Sequence, residues 1–442
     1  MATTFRPYEP DQSFLLPPSP KDWLPEGHLA YFISETVDRL ELRRFYLRYE
    51  GDGRRNSPFN PRMMVKVLLY GYATGTFSSR KMAKKIEEDV AFRVLAAGNF
   101  PAHRTLAEFR QRHLSEFQDL FVQVVQIARG AGVIRLGTIA VDGSKIKANA
   151  SKRKAMSYGR MKQEEKRVRE EIKRLTEQAE KEDAKEDRLY GEDQRGDELP
   201  EELKRRKKRL AKIEAAVKRL EKRQAQEDRA KGRSEGDDRK GPKGGRRFKR
   251  DFGTPPDSAQ DNFTDPDSRI MKTSSEGFQQ SYNGQVAVDE TSQLIVATGL
   301  TQSAADTQQL IPILDRTESI TKVRPQRVLA DCGYKDEGNF KRLEKNKIDA
   351  YVSLGREGKE LSRKPNATHP ATRRMYTKLQ SETGRKYYKR RKAIVEPVYG
   401  WIKEVIGFRR FSLRGLENVT GEWDLICLAV NLKRLSAMLR WV

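Results

Sequence analysis

Residues 137–151 read GTIAVDGSKIKANAS. Thr138 to Val141 is a short run rich in β-branched residues that stops at Asp142, the pattern of a buried strand tipped by an acid. The pattern recurs at Arg327 to Ala330, which ends in Asp331 and is followed by a break, Cys332-Gly333-Tyr334. Between the two, strand residues flank Asp289-Glu290-Thr291-Ser292, predicting a β-hairpin from Tyr282 to Leu300. A helix from Asp306 to about Glu318 follows, then one from Glu337 to Asn346 and a strand from Ala350 to Leu354. A basic loop and helical segments containing KAIVEPVYGWIKEV (392–405) come next. Strand, hairpin, helix, strand, helix, strand, helix predicts an α/β fold, a mixed sheet with helices on its faces.

Upstream the chain is helical. Asn60-Pro61 is a cap with Pro at the first helical position, and Met63, Met64, Val67, Leu68 and Tyr70 give an apolar face running to Gly75. Ser78 or Ser79 caps a second helix with Met82, Ala83 and Ile86 inward and Arg80, Lys81, Lys84 and Lys85 outward. This is a helix-turn-helix pattern whose second helix fits a major groove; two core helices with a solvated basic face give the same pattern. Thr105 and Glu108 form a capping box for a long helix bearing Phe109, Phe117, Leu120, Phe121 and Val124.

The middle is a different material. Of residues 151–250, 35 are basic and 23 acidic, against 34% charged overall. Met161, Val168 and Leu175 recur every seven residues with Ile172 and Ala179 between them. Leu203, Leu210 and Val217 repeat the pattern with Ile213 and Leu220. An antiparallel helical hairpin joins the two stripes within one chain; two solvated helices that meet only in an oligomer are the alternative. Lys231 to Ser268, rich in Gly, Pro, Asp and Ser, predicts a flexible linker. The expected organisation is a helical DNA-binding domain (1–135), a sheet domain (136–150 plus 269–442), a charged coiled-coil-like insertion (151–230) and the linker (231–268).

Composition narrows the chemistry. Lys and Arg number 88 against 63 Asp and Glu, a net +25, which points to a polyanionic partner. Two cysteines, Cys332 and Cys427, and four histidines argue against a zinc enzyme or a disulfide framework, and both thiols read as small buried hydrophobes. No apolar run reaches the roughly 20 residues of a spanning helix, and the N-terminus has no signal-peptide pattern, so a soluble cytoplasmic protein is expected. Apolar residues at helical spacing from Trp423 to Leu435 read as core. Two acids ending separate strands are suited to hard cations such as Mg²⁺, which take carboxylate, water and phosphate oxygens and, in pairs, stabilise both oxygens of a phosphodiester displacement.

Several stretches carry a family resemblance: DWLPEGHLAYF (22–32), PRMMVKVLLYGYATGTFSSRKMA (61–83), GTIAVDGSKIKANAS (137–151), YNGQVAVDE (282–290), VLADCGY (328–334), RRKAIVEPVYGWIKE (390–404) and GFRRFSLRGL (407–416). On these the chain resembles bacterial insertion-sequence transposases of the DDE type, most closely the insertion-sequence 1182 group. The resemblance implies a ribonuclease-H-like catalytic domain, a triad of Asp142, Asp331 and Glu396 holding two Mg²⁺ ions (Mn²⁺ as substitute), and the charged hairpin between the first two strands. It implies a transposase acting on double-stranded DNA, both element terminal repeats and target, as a homodimer in the bacterial cytoplasm, associated with the nucleoid. A nuclease of the same fold that cuts without joining, and a catalytically inactive DNA-binding protein, are the alternatives.

The family pattern around the Glu is Tyr, two residues, Arg, three residues, Glu, six residues, Lys. Glu396 and Lys403 match its second half, and seven residues is about two helical turns, so Lys403 shares a face with the acid and suits a DNA phosphate. Tyr388 and Arg391 keep their mutual spacing but stand one residue out of register, with Lys392 at the expected Arg position. Pro397 biases Glu396 toward a helix start or kink, and Glu404 is the reserve acid. Arg409, Arg410 and Arg414 are candidate DNA contacts; Phe408 and Phe411 between them either stack on bases or pack a corner.

Overall fold

The computed structural model describes residues 19, 22–49, 57–190, 201–235, 250–273, 277–355 and 368–439, without side chains at 179–180, 182–190 and 439. Two compact units emerge, the described parts of 1–146 with 283–442, and 147–282. The strands are β1 (Thr138–Lys147), β2 (Ala155–Ser157), β3 (Gln260–Asn262), β4 (Arg269–Thr273), β5 (Gly277–Asp289), β6 (Ile295–Thr301), β7 (Arg327–Ala330) and β8 (Asp349–Val352). Seven helices precede them: α1 (Leu29–Arg39), α2 (Arg43–Leu47), α3 (Pro61–Ala73), α4 (Ser79–Glu88), α5 (Val90–Ala96), α6 (His103–Arg112) and α7 (Leu114–Gly130). The insertion holds α8 (Tyr158–Tyr190) and α9 (Glu201–Ala230). Then come α10 (Leu310–Thr321), α11 (Glu337–Lys345), α12 (Pro370–Gln380), α13 (Glu382–Gly400) and α14 (Leu416–Leu439).

In the first unit the strand order is β6-β5-β1-β7-β8. β1, β7 and β8 run parallel, while β5 and β6 form the expected antiparallel hairpin. This is the mixed α/β sheet with flanking helices expected of a ribonuclease-H-like domain. β7 occupies the expected residues, but β1 continues through Asp142 to Lys147, so Asp142 lies within a strand instead of at its tip. The cause is the length of β5, which pairs along the whole of β1: Glu290 N donates to Thr138 O at one end (3.0 Å) and Ala148 N to Gln280 O at the other (2.8 Å).

Three helical expectations change. The capping box at Thr105 is not used: α6 starts at His103, its cap Ala102 offers no side-chain bond, and the long helix breaks at His113. That ring is fully buried, stacked on Phe45 with centroids 5.0 Å apart, and burial pushes it down to about 4. Helix α10 begins at Leu310, because the Asp306 carboxylate is engaged elsewhere. Pro397 stands inside α13, so Glu396 is neither at a helix start nor before one. The ring removes the N–H that would bind Ala393 O, and Gln293 Nε2 fills the gap at 3.0 Å.

Helix α3 is buried nearly all round, not on one face alone, because α1, α5, α6 and α14 all pack on it. α14 is the expected core helix, packing on α3, α7 and β6, with Trp423, Leu425, Ile426, Cys427 and Leu428 wholly buried. The Trp423 indole donates to Gln285 O (3.1 Å) and lies over Gly284, where a Cβ would come within 2.9 Å of the ring. Beside it, buried Glu422 accepts from Tyr72 OH (3.1 Å), Ser412 N (2.9 Å) and Leu413 N (3.0 Å), and Arg110 donates to the same Tyr72 oxygen (3.0 Å).

The second unit is the hairpin and its base. α8 and α9 run antiparallel, with Tyr158 bonded to Glu221 near one end and Arg206 paired to Glu171 (3.1 Å) toward the other. Met161, Val168, Ile213, Val217 and Leu220 are buried as the heptads predict. Of the expected linker, 236–249 lie outside the described residues. From 250 onward it is ordered: β3 pairs antiparallel with β2, Asp261 takes Arg219 (2.6 Å) and Arg223 (3.3 Å), and Asp265 accepts from Tyr282 OH (2.9 Å). Composition suggested nothing to bury there; paired charges supply the burial instead.

Glu422→Ala leaves the Tyr72 hydroxyl and two backbone N–H groups buried without their acceptor, at about 1 to 3 kcal/mol each. The expected result is a loss of about 3 kcal/mol or more, read as a drop of several degrees in the thermal midpoint. Glu422→Gln, which keeps one acceptor oxygen, loses less.

Candidate active site

Parallel register sets Val141 beside Ala330, so the next residues, Asp142 within β1 and Asp331 just past β7, stand side by side. Asp331 turns its carboxylate onto Gly333 N (2.8 Å), capping a short turn, and Asp142 bonds Gly143 N (2.9 Å). Arg391 of α13 brings Nη1 to 3.5 Å from Asp142. Burial, and then the charge of Asp331, push Asp142 up to about 7 against the pull of Arg391. Asp331 is also raised, chiefly by burial, with Gly333 N–H and Arg391 opposing. Burial works against the charge on Arg391, but Asp142 leads the groups that hold it protonated.

Side chains alternate along β1, so Asp142 and Ser144 share one face, and Gly143 and Lys145 the other. On the first face Lys403 reaches Ser144 Oγ. Burial pulls Lys403 below its ordinary range while Asp142 opposes that shift. Tyr399, one turn past Glu396, shares its hydroxyl between Asp142 O and Gly284 O, 2.9 Å each, and so ties α13 to β1 and β5. On the second face the space beside Gly143 is filled by Asp306 and Gln285; a Cβ there would meet Gln285 Nε2 at 2.1 Å and Asp306 Oδ1 at 2.6 Å. Asp306 accepts from Asn283 (2.6 Å), Gln285 (2.7 Å) and Lys145 (3.1 Å). Its charge adds to the upward push on both aspartates.

The expected residues divide. Asp142, Asp331 and Lys403 come together. Glu396 lies on the exposed side of α13 with no hydrogen bond or ion pair among the described residues, three residues from the Tyr399 contact. Arg391, not Lys392, faces the aspartates, and Lys392 is exposed. Arg80, Lys81 and Lys84 are exposed on α4, Lys84 pairing with Glu88 (3.5 Å), while Lys85 is half-buried over the Phe92 ring. Arg409, Arg410 and Arg414 are exposed, Arg409 paired to Glu404. Phe408 and Phe411 pack a corner: both are buried, and Phe408 makes an edge contact with Phe77 at 5.1 Å. Sequence reading misses Asp306, Gln285 and Asn283 as site residues: Asp306 reads as an ordinary helix start, and the two amides lie in YNGQVAVDE with nothing in the pattern to give them a role.

Among the described residues no three His, Cys, Asp or Glu side chains stand together as a metal-holding group. The chemistry of the pair nonetheless fits a divalent cation: two half-buried carboxylates repel each other, with the charge of one guanidinium acting on both, a deficit of positive charge that a hard cation removes.

Because Asp142 binds its proton more tightly folded than unfolded, the cation-free protein loses stability as pH rises from about 4 to about 7, by on the order of a few kcal/mol. Asp142→Asn removes that loss. In chelator, the variant is expected to melt above the native protein at pH 8, the gap closing toward pH 4. Mn²⁺ at pH 8 should raise the native midpoint and leave that of the variant unmoved.

Two family models match the chain. One, described as Transposase DDE domain, covers residues 258–432 and includes Asp306, Asp331 and Glu396. The other, described as Transposase domain (DUF772), covers 18–112 and includes α3 and α4. Asp142 lies outside both stretches. No curated protein and no solved structure matches the chain. With the helical N-terminal region and the sheet each answering to a transposase model, the chain belongs to the DDE-type insertion-sequence transposases.

Proposed function

We propose that this transposase, of the insertion-sequence 1182 group, binds the ends of a mobile element in double-stranded DNA, hydrolyses a phosphodiester there, and directs the freed 3′-hydroxyl at target DNA. Asp142, Asp331 and Glu396 would hold two Mg²⁺ ions, or Mn²⁺ in their place, which supply Lewis acidity to the attacking and leaving oxygens. The observation that carries the reading is the half-buried Asp142 and Asp331 pair with Arg391 and Lys403 beside it: two acids for cations, two cations for phosphate.

The remaining chemistry is positioning and charge. Arg391, its Nη1 3.5 Å from Asp142, brings a fixed positive charge to the place where a phosphate would meet the acids. Lys403, held on Ser144, adds a second cation on the Asp142 face. Arg80, Lys81, Lys84 and Lys85, with Arg409, Arg410 and Arg414, supply backbone contacts that fix the duplex without reading its sequence. Both steps are in-line displacements needing neither a catalytic Cys nor a Ser-His pair. Pairing two element ends calls for a homodimer on DNA, working in the cytoplasm beside the nucleoid.

The test is cleavage and strand transfer of a labelled duplex carrying the element end, in Mg²⁺ at matched salt. Asp142→Ala, Asp331→Ala and Glu396→Ala are expected to bind the duplex yet neither cut nor join. Cutting without joining would favour a plain nuclease, and binding without cutting an inactive binder. Full activity of Glu396→Ala would remove that residue from the triad. Arg391→Ala should slow cutting by about 10²-fold, the scale of losing one preorganised donor, whereas Lys392→Ala should leave it nearly unchanged.

A further inference from the structure

Helix α9 sorts its charges by side. At about 100° per residue, Ile213, Val217 and Leu220 face α8, and Lys207, Lys208, Lys212, Lys218, Lys222 and Arg229 gather on the opposite side. All six are exposed, and none has an ion pair with an acid among the described residues. Arg229 only lies over the Phe252 ring at 5.6 Å. The acids of the same interval are used elsewhere. Glu214 pairs with Arg169, Glu221 accepts from Tyr158 (2.8 Å) and pairs with Lys162 (3.4 Å), and Asp228 is buried against Arg233 (3.2 Å) and Gly253 N (3.0 Å). Glu227 falls off the stripe by helical phase. Arg219, on the stripe's edge, is neutralised by Asp261.

A face that serves only solubility mixes its signs. This one carries a single sign for 22 residues, about 33 Å at roughly 1.5 Å per residue, close to one turn of B-form DNA. We propose that the outer face of α9 is a sequence-independent docking surface for the phosphate backbone of duplex DNA. The assignment rests on the DNA-processing reading above and gives the insertion a role of its own: it adds affinity for the duplex and contributes no acid to the cutting site.

Counterion release makes the proposal measurable. Each phosphate neutralised contributes about 0.9 to the slope of log affinity against log salt. The full chain is titrated with a labelled duplex of arbitrary sequence, about 30 base pairs, between about 50 and 200 mM salt. The quadruple variant Lys208→Gln, Lys212→Gln, Lys218→Gln, Lys222→Gln is expected to lower the slope by three to four. The double variant Lys218→Gln, Lys222→Gln should lower it by about two, and far-UV circular dichroism should show both folded. If the quadruple variant is unfolded, the double variant decides alone. An unchanged slope in a folded variant overturns the docking surface and leaves the transposase reading intact. Loss of self-association at unchanged slope assigns the face to a second copy of this chain and equally overturns it. A native protein that binds no duplex at low salt fails both.

Discussion

Everything at the centre of this molecule follows from one register. β1 and β7 run parallel with Val141 opposite Ala330, and the residue that follows each of these is an aspartate. Two half-buried carboxylates are thereby held close, and the fold has to tolerate their repulsion. Arg391 relieves part of it, Gly333 and Gly143 lend backbone N–H groups, and the remainder keeps Asp142 far above the ordinary carboxylate range. The supporting parts serve this arrangement. Tyr399 ties α13 to the strand that carries Asp142, Gly284 lets Trp423 of the core helix come close behind β5, and the amides of Asn283 and Gln285 hold Asp306 behind the pair.

The strands were legible because their pattern is local: β-branched runs stopped by Asp, and a hairpin marked by a polar turn. The heptads of the insertion were equally plain, and so was α14, where apolar residues are too dense for anything but core. What escaped the sequence depends on partners far along the chain. Whether β1 ends at Asp142 is decided by how far β5 extends, more than a hundred residues later. Thr105 caps nothing because α6 already begins at His103, and the long helix breaks at His113, whose ring is buried against Phe45. The buried carboxylates Asp261 and Asp265 turn a stretch that reads as linker into structure, because Arg219, Arg223 and Tyr282 meet them. At the site, Asp142, Asp331 and Lys403 carried a motif, whereas Asp306 became visible only once Gly143 and Gly333 were seen to leave room for it.

By spacing from Glu396, Lys392 takes the position expected of an arginine, and Arg391 stands one residue early. Helix geometry reverses that ranking, since one residue turns a side chain through about 100°, and it is Arg391 that is buried beside Asp142. Linear spacing from one anchor is thus a poorer guide than the side of the helix on which the apolar residues Ile394, Val395 and Val398 lie.

The three-pair ladder of β2 against β3 at the foot of the hairpin affects how the chain finds its fold. β1 ends at Lys147 and β5 begins at Gly277, so their pairing must close a loop of about 130 residues. The hairpin's own contacts are between near neighbours in sequence and can form first. Once β2 and β3 have paired, only about 20 unpaired residues separate the two long strands, which lowers the closure entropy by about 1.6 kcal/mol. The insertion thus shortens the search it interrupts, and a variant that melts the ladder would slow refolding of the sheet even where it touches no residue of it.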